Sequence, residues 1–395
     1  MALCFDDAMT VQDILDAAST ALGQSLSEPV DLGGSSRSTV VRARAGDGAS
    51  VIVKAYKKRG DAQVSIGQEA AGLAFAAPQS AGSDSTQPAG DCPRLLATDL
   101  AWPLVVMSDL GSASSLADLL LGSDPQAAQD GLAAWAAACG RMAARSVGRE
   151  AEFTRLLSAY SADPRPTGAE RGIQNAAELA EVLDEYGITP PPGLEREVVQ
   201  ATAAFDESDS GPGAYRVFSP GDICPDNALI TADGAQLLDF EGAGFHAVFR
   251  EAVYTRMPFT TCWCATRLPQ AVAERTEQAY RDEVVRAYPD LSDDAVWLLG
   301  MATATVAWTA ALTATFGHML RREDGSMHRD PTLLPTGRQL ARHRWSHVTA
   351  QLDEAGSGLY PAFAETCRLL VKASEEWDLA PAPLYPAFRE GRGCC

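Results

Sequence analysis

Positive charge is scarce in this chain. Its 395 residues carry 32 Lys and Arg against 52 Asp and Glu, a formal net charge of −20. Nucleic acid and anionic membrane surfaces are gripped through clustered Lys and Arg, so neither is an expected partner. The surplus suits a cationic substrate better than an anionic one, although plain solubility would produce the same charge. Long apolar runs are lacking as well: none reaches eighteen residues, and no membrane-spanning helix is expected. The opening MALCFDDAMTVQD has acidic residues and no basic segment of the kind that starts a secretory signal, so a cytoplasmic location is the expectation. The five histidines are scattered. The nine cysteines are odd in number, and a chain of this length does not need a small-domain disulfide framework. Cys262 and Cys264 form a C-x-C pair, and Cys394 and Cys395 end the sequence. With no second close pair and no nearby histidines, they read as buried thiols and a free tail rather than as a zinc site.

What is present suits a globular protein: 46% hydrophobic and 21% charged residues, with length enough for two lobes and a sizeable core. Val11, Ile14, Leu15, Ala18 and Leu22 fall at helical spacing over residues 10–26, with Thr10 and Asp13 placed as a capping box. Two β-branched runs, Thr39–Val41 and Val51–Val53, flank Gly46-Asp47-Gly48 and predict a hairpin. Residues 63–77 read as a helix, and 78–93 as a polar Pro/Gly/Ser loop. An apolar strand over Pro103–Met107 leads to a short helix opened by Ser115 and Asp118. The remainder is mostly helical, broken by one strand-rich island at about 214–240.

That island carries the chemistry. It holds Asp222, Asn227 five residues later, a hairpin signal at Asp233-Gly234, and Asp239 in LLDFE. A carboxylate on a short loop can orient an alcohol and accept its proton. An Asn amide oxygen and an Asp carboxylate are two of the oxygen ligands that magnesium takes. A hairpin between Asn227 and Asp239 folds those two side chains back toward one point. Taken singly, each has a plain structural reading: Asp222 as a turn residue after Gly221, Asn227 as a cap, Asp239 as a strand end.

As an ordered set, G-D-x-x-P-x-N followed by D-F-E resembles the aminoglycoside phosphotransferase and choline kinase branch of the protein-kinase-like fold. The resemblance spans about residues 30–255. It implies a bilobal α+β fold, with a small β-rich nucleotide-binding lobe over 1–110 and a larger helical catalytic and acceptor-binding lobe over 111–395. It implies ATP and magnesium as cofactors, with GTP left open. Asp222 is then the catalytic base, and Asn227 and Asp239 are the magnesium ligands. Val51-Ile52-Val53-Lys54 is similar to the kinase V-A-I-K strand, so Lys54 would hold the α- and β-phosphates and Glu69 would pair with it. Gly33, Gly34, Ser35 and Ser36 stand at the phosphate-covering turn. Met107, Ser108 and Asp109 stand at the adenine hinge. One departure is Pro220, where the family usually has His. Glu251 is expected to brace the catalytic loop, and His246 to be structural.

The expected reaction is phosphoryl transfer to a hydroxyl of a small polar molecule, with a cationic one favoured by charge. Asp282 and Glu283 are candidates to line its pocket. A Ser or Thr hydroxyl on a peptide undergoing biosynthetic modification is the alternative acceptor. A nucleotide-binding module that has lost turnover is the alternative from outside enzymology. The segment TRMPFTTCWC, 255–264, reads as core that could also wall an acceptor pocket.

Overall fold

The computed structural model describes residues 10–35, 37–57, 62–77, 90–160, 168–206, 211–257, 259, 262–325, 333–356 and 358–389. Ser36, Cys394 and Cys395, and most of the polar loop at 78–93, lie outside them. The first lobe is built from α1 (Val11–Leu22), β1 (Leu26–Gly34), β2 (Ser38–Ala45), β3 (Ser50–Tyr56), α2 (Ala62–Ala76), β4 (Leu95–Asp99) and β5 (Leu104–Ser108). Its five strands pair antiparallel in the order β1-β2-β3-β5-β4. The β2–β3 turn falls where Gly46-Asp47-Gly48 predicts it, with Gly48 at φ 86°. Thr10 and Asp13 close the capping box on α1, and Ile14, Leu15 and Ala18 bury against Val41, Val53 and Val106 of the sheet.

Two first-lobe elements differ from the sequence reading. The helix stops at Leu22 rather than 26, because Gly23 turns left-handed at φ 72° and its N–H caps Ser19 and Thr20. Leu26 then starts β1, an edge strand exposed along almost its whole length. With no buried face, β1 has no apolar alternation to announce it.

The second lobe opens with β6 (Ser114–Ser115), α3 (Leu116–Leu121), α4 (Pro125–Ser146), α5 (Glu150–Ala159), α6 (Gly168–Glu185) and α7 (Leu194–Asp206). The strand-rich island supplies β7 (Arg216–Ser219), β8 (Ala228–Thr231), β9 (Gly234–Leu237) and β10 (Gly244–Ala247). Helices α8 (Phe249–Arg256), α9 (Gln270–Val284), α10 (Asp294–Arg322), α11 (Gly337–Ala355) and α12 (Pro361–Ala373) complete it. By length and composition α10 is apolar enough to cross a membrane, but 67% of its apolar window is buried inside the fold. It is the central helix of the lobe, packed against α6, α7, α8 and α11. Its threonines do not interrupt that packing. Thr303 and Thr313 return their hydroxyls to the carbonyls four residues back, which satisfies them without water.

The lobes meet at α2. Gly72 on this helix faces the turn after β9, where an added Cβ would stand 2.7 Å from Ala243 Cβ and 3.0 Å from Phe240 Cβ. The Gln68 amide donates to the Ala243 carbonyl on the same face. The helix that carries Glu69 is thereby pressed onto the turn that carries Asp239.

Candidate active site

Strand β3 alternates its side chains, so Lys54 and Tyr56 project from the same face, toward α2. Lys54 Nζ lies 2.8 Å from Glu69 Oε2 and 2.8 Å from Asp239 Oδ1. One buried ammonium thus joins three elements: β3, α2 and the turn after β9. Burial alone would lower the pKa of Lys54, but Glu69 and Asp239 outweigh it and hold it up at about 12. The Tyr56 hydroxyl donates to Glu69 as well, fixing the carboxylate that faces the lysine. Asp239 occupies a left-handed conformation, φ 59° and ψ 77°, uncommon for a residue with a side chain. It opens a short 3₁₀ turn over Phe240–Gly242.

Asp222 sits on the loop between β7 and β8. That loop is held against the Asp239 turn by two glycines. Gly221 has φ 87°, and a Cβ there would lie 2.0 Å from the Gly242 carbonyl oxygen, so no other residue fits. Asp222 Oδ1 accepts from the Cys224 N–H at 3.3 Å. Burial, then the neighbouring Asp239 carboxylate, push the Asp222 carboxyl up to about 6. Asn227 Nδ2 donates to the Asp222 carbonyl at 3.2 Å, and the Asn227 carbonyl accepts from Leu238 N at 2.8 Å. The β8–β9 hairpin therefore brings Asn227 beside the residue preceding Asp239, as the sequence spacing requires.

Where the family usually has His, Pro220 follows a serine that does the bracing. Ser219 Oγ accepts from Gly221 N at 2.9 Å and donates to Glu251 Oε1 at 2.5 Å. His246 Nε2 lies 3.3 Å from the same Glu251 oxygen. Glu251, at the start of α8, is thus tied to the loop one residue upstream of Pro220.

The proposed cofactor-contacting segments stand as follows. Gly33 and Gly34 take φ 92° and 144° at the end of β1, and Ser35 Oγ closes the turn into β2 by accepting from Arg37 N at 3.0 Å and Ser38 N at 3.2 Å. Arg37, just after it, pairs across the lobes with Glu241. Met107 is buried in β5. The Ser108 N–H is committed to the Arg94 carbonyl at 2.9 Å. The Asp109 carboxylate is committed to Arg42 Nε at 2.8 Å and Ser50 Oγ at 2.6 Å.

One expectation needs correction. Cys262 is not a free buried thiol: it is disulfide-bonded to Cys224, 38 residues earlier and two residues from Asp222. Cys264, its neighbour in the C-x-C pair, is free and buried. The actual partner is distant in sequence and close only in the fold. Beside the disulfide, Trp263 Nε1 donates to Asp226 Oδ2 at 2.7 Å, a second tie to the same loop. Met257, Phe259, Cys262 and Cys264 are otherwise core, as expected. Asp282 accepts from the Gln278 amide, and Glu283 pairs with Arg286.

The model of the phosphotransferase enzyme family matches residues 29–292. This chain belongs to that family. Its match begins in β1 and ends just before α10, so it contains every residue of the site just described. Similar solved structures include the macrolide 2′-phosphotransferase from Brachybacterium faecium, with 19% identity, 77% of this chain and 98% of that chain covered, and a TM-score of 0.44. The choline kinase from Cryptosporidium parvum Iowa II has 11% identity, 89% and 90% coverage, and a TM-score of 0.45. A choline/ethanolamine kinase family protein from Mesorhizobium loti has 14% identity, 87% and 93% coverage, and a TM-score of 0.38. No curated protein gives a match.

Proposed function

We propose that this phosphotransferase moves the γ-phosphoryl group of ATP to a hydroxyl of a small polar molecule, with Asp222 as the base. The observation that carries the reading is the buried Lys54–Glu69–Asp239 cluster set against the Asp222–Asn227 loop. Lys54, held at about 12, keeps its charge at any physiological pH and can bind phosphate oxygens. Asp222, pushed up to about 6, is mostly ionised at neutral pH and poised to take a hydroxyl proton as the oxygen attacks. Little covalent work is asked of the protein; positioning and electrostatics supply the rate.

The residues present suit magnesium. Asn227 spends its amide hydrogen on the Asp222 carbonyl, which leaves Oδ1 as an acceptor, and Asp239 engages Lys54 through Oδ1 only. Asn227 and Asp239 would hold the ion, which would offset charge on the phosphate oxygens. The net charge of −20 supports a cationic acceptor. Pro220 supports a second reading, a nucleotide-binding module without turnover.

Thermal stability with and without magnesium–ATP tests the nucleotide site, since a ligand of the folded state raises Tm by mass action. A magnesium-dependent rise, lost in Asp239→Ala, is expected; no rise at millimolar nucleotide would sink the ATP reading. ADP release against an acceptor panel then separates the two readings. Turnover abolished by Asp222→Asn supports the enzyme, and binding without turnover on any small hydroxylated acceptor supports the module.

A further inference from the structure

The helical lobe encloses a cavity of about 540 Å³ between the C-terminal end of α8, one face of α9 and one face of α11. Lys54, Asp222, Asn227 and Asp239 are not among its walls. From α11, His343, His347 and Gln351 face it at i, i+4 and i+8, a single stripe of the helix. From α9, Glu274 and Glu277 face it at i and i+3.

The charges on these walls are not equally spent. Arg256 binds Glu277 and reaches Glu354 at 2.9 Å, so that guanidinium is neutralised locally. Arg267 is different. Its Nη1 donates to the Ala382 carbonyl at 3.0 Å, and among the described residues no carboxylate lies within ion-pair distance of it. Gln351 is only 5% exposed. Its Oε1 accepts from Thr305, while its buried Nε2 has no partner among the described residues. His347 Nε2 is likewise buried and without a partner among them. A buried polar group without a partner is costly, and two on one stripe of α11 mark a wall built to meet something polar. Burial, the neighbouring imidazole and Arg267 push His343 down to about 3, and burial with Arg256 pushes His347 down to about 4. Both imidazoles are therefore neutral near pH 7. The cavity offers one unspent positive charge, several neutral donors, and carboxylates opposite.

That arrangement takes one negative charge and repels two. We propose that this cavity binds a small carboxylate whose other end donates hydrogen bonds, the chemistry that amino acids and hydroxy acids share. The ligand carboxylate would meet Arg267 and Gln351 Nε2. Its ammonium or hydroxyl would meet Glu274, whose only described partner is the Gln270 amide at 2.9 Å. A phosphate dianion would face the glutamates of α9 and be disfavoured.

The full chain, without nucleotide, would be screened by thermal shift against the standard amino acids, L-lactate and glycolate. Ethanolamine and inorganic phosphate serve as controls, and hits are titrated by calorimetry. Saturable binding by at least one carboxylate is expected, with neither control binding. Affinity should fall at least tenfold in Gln351→Glu, which keeps an oxygen for Thr305 but opposes the ligand carboxylate, and in Arg267→Gln. If Arg267→Gln does not fold, Gln351→Glu decides alone. No saturable binding by any carboxylate, phosphate binding as tightly, or undiminished affinity in Gln351→Glu would overturn the proposal. Stabilisation by magnesium–ATP should be unchanged in Gln351→Glu; its loss would tie the cavity to the nucleotide cleft and overturn its standing as a separate site.

Discussion

Burial and Asp239 push the Asp222 carboxyl up to about 6 from the 3.8 of an unperturbed aspartate. A carboxyl whose pKa is higher folded than unfolded stabilises the fold while protonated, and that contribution is lost as pH rises from about 4 to about 6. Above pH 6 the ionised Asp222 is a net cost, on the order of 1–2 kcal/mol after allowance for its partial exposure. Asp222→Asn should therefore unfold at higher denaturant than wild type at pH 7.5 and lose that advantage below pH 4, while its turnover falls at least ~100-fold. A variant less stable than wild type at pH 7.5 would contradict this. Lys54 presents the opposite case. Its ammonium is the shared partner of Glu69 and Asp239, so Lys54→Met leaves two carboxylates facing each other around a buried site. A loss of roughly 3 kcal/mol in urea unfolding is expected, part of it recovered in Lys54→Met/Glu69→Gln. Of these residues, Asp222, Asn227 and Asp239 were legible in the sequence because turn and hairpin spacing are local, and the resemblance they carry implied Lys54 and Glu69. Tyr56 was within reach too, two residues from Lys54 on the same face of β3. Ser219 was not, because its role depends on Glu251 arriving from another element.

Among the elements, the loop between β7 and β8 is the most constrained. Gly221 and Gly48 have nearly the same backbone, φ 87° and 86°, but only Gly221 would drive a Cβ into another loop. Gly48→Ala should cost only ~1 kcal/mol, the left-handed penalty alone. Gly221→Ala should cost at least ~3 kcal/mol and abolish magnesium–ATP stabilisation, because the two loops must part. Equal costs in denaturant titrations would show that the loops are not packed as described. The Cys224–Cys262 disulfide straps the same loop from the other side. Closing a loop of 38 residues restricts the unfolded chain by about 4 kcal/mol at most. A reductant such as TCEP should lower the unfolding midpoint of wild type and leave Cys262→Ser unmoved. Insensitivity of the wild type would rule the strap out as a source of stability.

For the whole molecule, acid stability sets two groups against each other. His343 and His347 are held at about 3 and about 4, below the 6.5 of free imidazole, so the unfolded chain takes up two protons that the fold refuses. Their contribution to stability is present above pH 6.5 and is lost as pH falls toward 4. Asp222 works the other way over part of that range but binds a single proton. The fold should therefore weaken between pH 6.5 and 4.5, less steeply in His343→Gln/His347→Gln and more steeply in Asp222→Asn. Denaturant titrations across that range check the ordering, and a double-histidine variant with the wild-type slope would refute it.

The ordered set of Lys54, Glu69, Asp222, Asn227 and Asp239, and through it the family, followed from the sequence alone. Local turn and hairpin spacing announces Asp222, Asn227 and Asp239, and the family resemblance they carry implies Lys54 and Glu69. The exposed edge strand β1 left no such pattern, since a strand without a buried face needs no alternation. Contacts between residues far apart in the chain were decided only by the tertiary structure. These are the Cys224–Cys262 pairing, the Ser219–Glu251 brace beside Pro220, and the placing of α9 and α11 on the walls of one cavity with Arg267. Local propensity acts over a few residues, whereas these contacts depend on how whole elements pack, and no short stretch of sequence encodes that.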